Sequence, residues 1–309
     1  MIDIAIIGGG PAGLAAGLYA ARGGASTVLF EEVFVGGQAA KTPRIDNYPG
    51  FTDGIEGSEL GIRMHDQAVR FGLDIRYEPV DGLDLAYPTK SVQTAHGCVL
   101  SKTVILSMGA SPKKLNLKNE DSFVGAGLSY CASCDGAFFR NKEVCVIGGG
   151  DTALQDALYL ARFAKKVYLI HRRNEFRGCR LLQSSVLAEN NIEVLWSHVA
   201  TELLGEGAIE GIRLRHIESN TIKELVLSGV FIAVGIEPRT DLVRGQLQLS
   251  TEGYIKTDEA MRTALAGVYA AGDARETPLR QVVTAVSDGA VAATSALEYL
   301  STLKQAASN

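Results

Sequence analysis

Cys131 and Cys134 stand two residues apart in "SYCASCDGAFF" (Ser129–Phe139), with Asp135 directly after the second. A CxxC pair has three ordinary uses: a zinc site, a structural staple or a redox dithiol. Zinc needs four ligands, and Cys98, Cys145, Cys179 and His171 show no second CxxC or HxxxH spacing to supply them, so no metal is expected. A staple across two residues constrains the unfolded chain little, and five cysteines in 309 residues are not a disulfide scaffold. A redox dithiol suits the spacing best: a mixed disulfide formed at one sulfur is resolved by the other. Asp135 is placed to act as general acid or base to a thiolate, provided its surroundings raise its pKa; the alternative for it is a turn or N-cap aspartate. Cys98, Cys145 and Cys179 are read as buried or incidental thiols.

Two glycine loops flank this pair. In "IAIIGGGPAGLAAGLYAAR" (Ile4–Arg22), Gly8, Gly10 and Gly13 form GxGxxG between an apolar strand pattern and a helical one. The first glycine makes the tight turn, the second lets backbone approach a pyrophosphate, and the third lets helix pack on strand. The pyrophosphate then meets free N–H groups at a helix N-terminus. Glu31, 18 residues beyond Gly13, is placed to accept the adenosine ribose hydroxyls. The loop recurs in "VCVIGGGDTALQDALYLAR" (Val144–Arg162) as Gly148, Gly150 and Ala153. There the same count lands on His171, followed by Arg172, Arg173 and Arg177. Guanidinium groups in place of a carboxylate suit a ribose 2′-phosphate and hence NADPH; the alternative is a solvated basic patch. A flavin in the first loop and NADPH in the second is the economical pairing, because NADPH needs an acceptor. Asp273, ending the strand pattern "GVYAAGDA", is placed to bond a flavin's ribityl chain.

The elements that must hold these groups follow from periodicity. Each glycine loop sits in a βαβ pattern, completed by "STVLFEE" and "KKVYLIHRR", so the fold class is α/β with two Rossmann-like, doubly wound domains. Strand-like stretches fill residues 75–107 and 192–234, and a long helix is expected from about Gln281 to Leu300, with a short polar tail after Leu303. "GASP" (Gly109–Pro112) and "GIEPRT" (Gly235–Thr240) read as linkers. The simplest arrangement inserts the second nucleotide domain into the first: a discontinuous FAD-binding domain at 1–112 and 241–309, and an NADPH-binding domain at 113–240 that carries the CxxC. Net charge is −5, with no polybasic tail, which argues against nucleic-acid binding. The apolar N-terminus contains Asp3 and a Gly-Gly-Gly-Pro break and lacks a basic start, so it reads as strand, turn and helix rather than a signal or membrane span. A reducing cytoplasmic location is the resulting expectation.

With these residues in hand, the chain resembles the bacterial-type, low-molecular-weight thioredoxin reductases over essentially its whole length. The resemblance rests on "GGGPAGLAA", "GGQ" (Gly36–Gln38), "DNYPG" (Asp46–Gly50), "CASCDG", "GGGDTA", "HRRNEFR", "AAGD" and "RQVVTA" (Arg280–Ala285), in that order. It implies electron flow from NADPH through FAD and the Cys131–Cys134 disulfide to thioredoxin, with a rotation of one domain against the other. It further implies that Cys134 is the flavin-proximal thiol, that Cys131 attacks the thioredoxin disulfide, and that Asp135 donates the proton. For FAD the matching positions are Gly8, Gly10, Gly13, Glu31, Gln38, Asn47, Ala110, Asp273, Arg280 and Gln281. For NADPH they are Gly148, Gly150, Ala153, Arg172, Arg173 and Arg177. Phe138 and Phe139 either help form the thioredoxin docking surface or pack in the core, and the family is homodimeric. Two stretches depart from the family pattern, "SMGA" (Ser107–Ala110) for "ATGA", and "VSDGAVAA" (Val286–Ala293) near the C-terminus; neither removes a reacting group.

Relatives fed by ferredoxin tend to lose the arginine cluster that this chain keeps. Flavoproteins feeding a peroxidase carry an extra N-terminal thioredoxin-like region, whereas the FAD motif here begins at residue 3. Ferredoxin–NADP reductases of this fold lack the cysteines. A small-molecule dithiol oxidoreductase has no use for the arginines, and a non-catalytic redox sensor has no use for the full set of reacting groups.

Overall fold

The computed structural model describes residues 1–42, 44–86 and 88–308. The chain divides into two compact units, Met1–Ser111 with Glu237–Asn309, and Pro112–Ile236.

The first unit opens with β1 (Ile2–Ile7), α1 (Pro11–Arg22) and β2 (Thr27–Glu31). Proline at the first helical position sets the start of α1 with its fixed φ. α2 (Gly57–Arg70), β3 (Asp74–Tyr77), β4 (Val80–Asp84), β5 (Lys90–Thr94), β6 (Gly97–Leu106) and β7 (Ala110–Pro112) follow. The sheet runs β3-β2-β1-β6-β5-β4. Strands β3, β2, β1 and β6 are parallel, and β5 and β4 add antiparallel to that edge. β1 thus has β2 on one side and β6 on the other, which opens a crevice at its C-terminal end, where Gly8 begins the loop. Alternation along β1 splits the core. Ile4 and Ile6 point to one layer with Leu14, Ala16 and Ala20 of α1, while Ala5 and Ile7 join a second layer with Val92, Val104 and Ile255.

The second unit contains β8 (Leu128–Ser129), α3 (Ala132–Asp135), β9 (Glu143–Gly148), α4 (Asp151–Ala161), β10 (Lys166–Ile170), α5 (Arg180–Ala188), β11 (Ile192–Leu195), β12 (His198–Leu204), β13 (Gly211–His216), β14 (Ile222–Val226) and β15 (Gly229–Ala233). Its parallel sheet has the order β11-β10-β9-β15-β8. Buried on both faces, its strands are near-continuous Val, Ile and Leu. Val144, Val146 and Leu169 face Leu154, Ala157 and Leu160 of α4. Cys145, Ile147 and Val230 face Ile212, Leu214 and Leu225, so the antiparallel sheet β12-β13-β14 covers the second face in place of a helix. Within the strand-like stretch 192–234, the apolar run "KELVLSGVFIAVG" (Lys223–Gly235) thus holds parts of two strands, β14 and β15, in different sheets.

β16 (Ile236–Pro238), β17 (Val268–Ala270) and α6 (Val282–Ser308) complete the chain. β17 adds to β6 in parallel. Both stretches read as linkers, "GASP" and "GIEPRT", contain short strands, β7 and β16, that pair with each other. The expected polar tail after Leu303 continues α6 to Ser308; Lys304, Gln305 and Ala306 are good helix formers and extend it, and Asn309 lies outside the described residues. α6 lies close on α1 because both are rich in small residues: a methyl at Gly289 would run into the Ala12 carbonyl oxygen. Among the described residues no helix is long and apolar enough to cross a membrane.

Candidate active site

The redox pair lies at the mouth of β8. Cys131 is extended and caps α3, a single turn that ends at Asp135. The Cys134 and Asp135 N–H groups both donate to the Cys131 carbonyl, at 3.3 and 3.2 Å. Cys131 and Cys134 are joined in a disulfide. Buried Ala132 anchors the turn in the apolar layer below. The residues on either side of Cys131's backbone are tied down. Ser129 accepts the Cys131 N–H at 3.0 Å and donates its hydroxyl to Asp135 Oδ2 at 2.6 Å. Tyr130 donates its phenol to Glu120 Oε1 at 2.7 Å, and buried Glu120 also accepts the Leu115 and Leu117 N–H groups. Burial, then Glu120, pushes the Tyr130 phenol well above its usual range, so it stays a donor. Burial likewise pushes the Asp135 carboxyl up, opposed by the Ser129 hydrogen bond, and Asp135 Oδ1 is buried with no partner among the described residues. A carboxyl with its proton affinity raised in this way is suited to accept and pass on a proton.

Of the two aromatic residues after the pair, Phe138 is exposed, while Phe139 is buried with its ring edge-on to Phe231 at 5.2 Å. Phe139 is therefore a core residue, and the docking alternative falls for it: the 3₁₀ turn Gly136–Phe139 rotates consecutive side chains to opposite sides. Cys98 and Cys179 are exposed, and Cys145 is fully buried, which pushes its thiol up and keeps it protonated.

In the same unit, Gly148 ends β9, Gly150 caps α4 and Ala153 is buried in the helix's first turn. A methyl at Gly149 would enter the ring of His171. His171 takes the place of the expected ribose acid: it is buried, its Nε2 lies 3.0 Å from the Glu175 carbonyl oxygen, and burial pushes its pKa down. It is a wall of the loop, leaving Arg172, Arg173 and Arg177 exposed beyond β10. The segment does not coil; the Arg177 and Gly178 N–H groups instead donate to the Gly149 carbonyl, at 2.8 and 3.2 Å, which holds the arginine segment against the glycine loop. None of the three arginines has an ion-pair partner among the described residues. Three unpaired guanidiniums beside a helix N-terminus form a cradle suited to a phosphorylated ribose and a pyrophosphate.

In the first unit, Gly8 has φ 102° and Gly10 caps α1. Gly13 passes against the Gly8 carbonyl, where a Cβ would collide. Glu31 Oε2 accepts the Gly9 N–H at 2.7 Å and Oε1 the Val33 N–H at 3.2 Å, so the carboxylate stands at the loop. Gln38 lies in the 3₁₀ turn Gly37–Lys41, whose first residue approaches Gly10, and the Gly36 N–H donates to the Gly9 carbonyl at 2.8 Å. Asn47 Nδ2 donates to Gln281 Oε1 at 2.9 Å, joining two positions far apart in the chain. Ala110 is buried at the start of β7. Asp273 sits in the turn Gly272–Ala274, its carboxyl pushed up to about 6, chiefly by burial, with Arg280 opposing. The Arg280 guanidinium lies 4.3 Å from the Tyr254 ring centroid, and its Nε is buried without a partner among the described residues. A backbone cradle, an acid at the ribose position and an orphaned buried donor fit a flavin dinucleotide.

Several supports here escaped the sequence reading. Ser107, in the departing "SMGA" stretch, donates its hydroxyl to the Ile7 and Gly8 carbonyls at 2.9 Å each, closing the end of β1. Asp288, in the departing "VSDGAVAA" stretch, accepts the Gly272 N–H at 3.1 Å and Arg275 Nε at 2.8 Å, fixing the turn around Asp273. The departures from the family pattern gave a place to look for both; their partners needed the fold.

Residues 2–289 match the family described as pyridine nucleotide-disulphide oxidoreductase. A curated thioredoxin reductase of Streptomyces coelicolor is 41% identical over 304 residues, covering 97% of this chain and 94% of the relative. The crystal structure of thioredoxin reductase from Streptococcus pyogenes superposes with a TM-score of 0.93 at 39% identity, covering 98% of this chain and 99% of that one. Thioredoxin reductase from Giardia duodenalis does so with a TM-score of 0.90 at 34% identity, covering 97% and 99%. With a disulfide-bonded CxxC and a glycine loop after a parallel strand in each of two sheets, the chain belongs to the pyridine nucleotide-disulphide oxidoreductase family.

Proposed function

We propose that the protein is an NADPH-dependent thioredoxin-disulfide reductase, a homodimeric cytoplasmic flavoprotein. The first unit holds FAD through Gly8, Gly10, Gly13, Glu31, Gln38, Asn47, Ala110, Asp273, Arg280 and Gln281. The second holds NADPH through Gly148, Gly150, Ala153, Arg172, Arg173 and Arg177. The observation that carries the reading is the coexistence in one unit of a disulfide-bonded CxxC and three unpaired arginines pinned to a glycine loop. A small-molecule dithiol oxidase has no use for the second feature.

When bound, FAD supplies a two-electron relay between the nicotinamide and the Cys131–Cys134 disulfide. The chain's own residues do the rest. Glu31 and the loop amides orient the adenosine end in the first unit, and Arg172, Arg173 and Arg177 select the 2′-phosphate in the second. Once the pair is a dithiol, Cys131 attacks the thioredoxin disulfide and Cys134 resolves the mixed disulfide. Asp135 moves the protons, so two electrons and two protons leave together.

The test is anaerobic reduction of the purified protein with NADPH, followed by oxidised thioredoxin, with flavin absorbance recorded. Bleaching and then recovery is expected. Bleaching without recovery on thioredoxin removes thioredoxin as substrate; bleaching by reduced ferredoxin but not by NADPH overturns the role of the arginines.

A further inference from the structure

We propose that Ser129 is a positioning residue for Asp135: clamped by the Cys131 N–H, its hydroxyl occupies Oδ2 and confines the catalytic proton to Oδ1. The inference deepens the function proposed above and rests on its assignment of Asp135 as proton donor.

A serine hydroxyl carries one hydrogen and has two acceptors within reach, Asp135 Oδ2 at 2.6 Å and the Cys131 carbonyl at 3.3 Å. The shorter contact has the length of a charge-assisted O–H···O⁻ bond, so the hydrogen goes to Asp135. The serine oxygen's free lone pair takes the Cys131 N–H at 3.0 Å. Ser129 is itself 4% exposed and belongs to β8, which is paired to β15, so the clamp is built on the sheet rather than on the turn it holds. One hydroxyl thereby fixes the carboxyl plane relative to the backbone of the attacking cysteine. Oδ2 is occupied, and Oδ1 is buried with no partner among the described residues. The resting carboxylate therefore keeps Oδ1 as the one oxygen free to take up a proton. In the exchange step, Oδ1 takes the proton of the Cys131 thiol as its sulfur bonds to one sulfur of the substrate disulfide. The other substrate sulfur leaves as thiolate and takes that proton back. Cys134 repeats the transfer as it displaces the second substrate sulfur, and the disulfide re-forms.

The elements around Asp135 leave Ser129 as its tuning partner. Burial and the Ser129 hydrogen bond are the influences on the carboxyl, and no charged side chain adds a third. α4, packed against α3, brings Asp151, Asp156 and Tyr159 as its titratable groups; α3 brings Cys134 and its cap Cys131; the turn Gly136–Phe139 brings none.

The experiment compares Ser129→Ala, Ser129→Val, Ser129→Thr and Asp135→Asn in the full-length FAD-loaded protein. The readouts are the pH profile of kcat for thioredoxin reduction, the KM for thioredoxin, and the rate of flavin bleaching by NADPH. The Asp135 limb of the profile is the one abolished by Asp135→Asn. Ser129→Ala and Ser129→Val should move that limb up by about one pH unit and lower kcat about tenfold at neutral pH, through loss of a charge-assisted donor. KM and flavin bleaching should stay within about twofold. Ser129→Thr, which keeps the hydroxyl in the shape of valine, should restore the wild-type limb. An unmoved limb in Ser129→Ala and Ser129→Val, or a threonine variant as impaired as valine, overturns the role of Ser129 while leaving Asp135 in place. If Asp135→Asn abolishes no limb, the assignment of Asp135 falls, and Ser129 with it.

Discussion

Replacing Asp288 by alanine should destabilise the first unit by about 3 kcal/mol and loosen its flavin. Asp288 and Arg275 are 10% and 15% exposed, so theirs is a nearly buried ion pair, with Arg275 Nε to Asp288 Oδ2 at 2.8 Å. Removing one partner of a buried pair typically costs about 3–5 kcal/mol, because the remaining charge is left uncompensated. Two features pull the figure to the low end: residual exposure, and the bond that Arg275 Nη1 keeps to the Glu276 carbonyl at 2.7 Å. One adds to it: the Gly272 N–H loses its acceptor, worth about 1 kcal/mol. For a unit of this size, about 3 kcal/mol lowers Tm by about 6–12 °C. Flavin fluorescence on heating reports release from the first unit; fluorescence of Trp196, the chain's single tryptophan, reports the second as an internal control. The double variant Asp288→Ala with Arg275→Met removes both charges, and should recover at least about 1 kcal/mol of the loss. A single variant that costs under about 1 kcal/mol, or a double variant as damaging as the two singles summed, would refute the argument.

Asp156 is a half-buried carboxyl on α4 pushed up by burial to about 6, from an ordinary 3.8. Its stabilising proton is fully held below about pH 4 and is lost as pH rises through about 6, so the native state carries a cost above that window. Allowing for partial exposure, Asp156→Asn should gain about 1–2 kcal/mol more at pH 7.5 than at pH 4 in denaturant melts; an equal effect at both pH values removes the linkage. Gly149→Ala forces a methyl into the His171 ring, so the KM for NADPH should rise more than about tenfold through displacement of the arginine segment, with flavin content unchanged. Loss of flavin instead would contradict the assignment of this loop to NADPH. Arg172→Ala and Arg173→Ala should each lower kcat/KM for NADPH by about ten- to a hundredfold while leaving NADH nearly unaffected, measured by initial rates with each nucleotide. Equal losses for both nucleotides would mean that these side chains do not read the 2′-phosphate. Cys131→Ser should abolish thioredoxin turnover yet preserve flavin bleaching by NADPH, and retained turnover in a steady-state assay would sink the role of Cys131.

Both glycine loops, the acid after the first and the arginines after the second, and the CxxC with its aspartate were legible in the sequence because each is a local device. A turn that only glycine can make, a helix that begins with proline, and a strand of alternating apolar residues are specified by neighbours within one turn or one pleat. What pairs across the fold was not. The strands inside "GASP" and "GIEPRT" find each other from opposite ends of the second unit. "KELVLSGVFIAVG" divides between two sheets because Leu225 packs down onto the parallel sheet that Val230 helps to build. Phe139 is core and Phe138 is surface because β15 brings Phe231 against one of them only. The same holds for the chemistry. Sequence places Asp135 beside Cys134 and Asp273 at a strand end, but a carboxyl's proton affinity depends on what excludes water and what donates to it. Those surroundings, Ser129 held on the sheet for the one and Asp288, Arg280 and burial for the other, come from residues whose proximity only the folded chain creates.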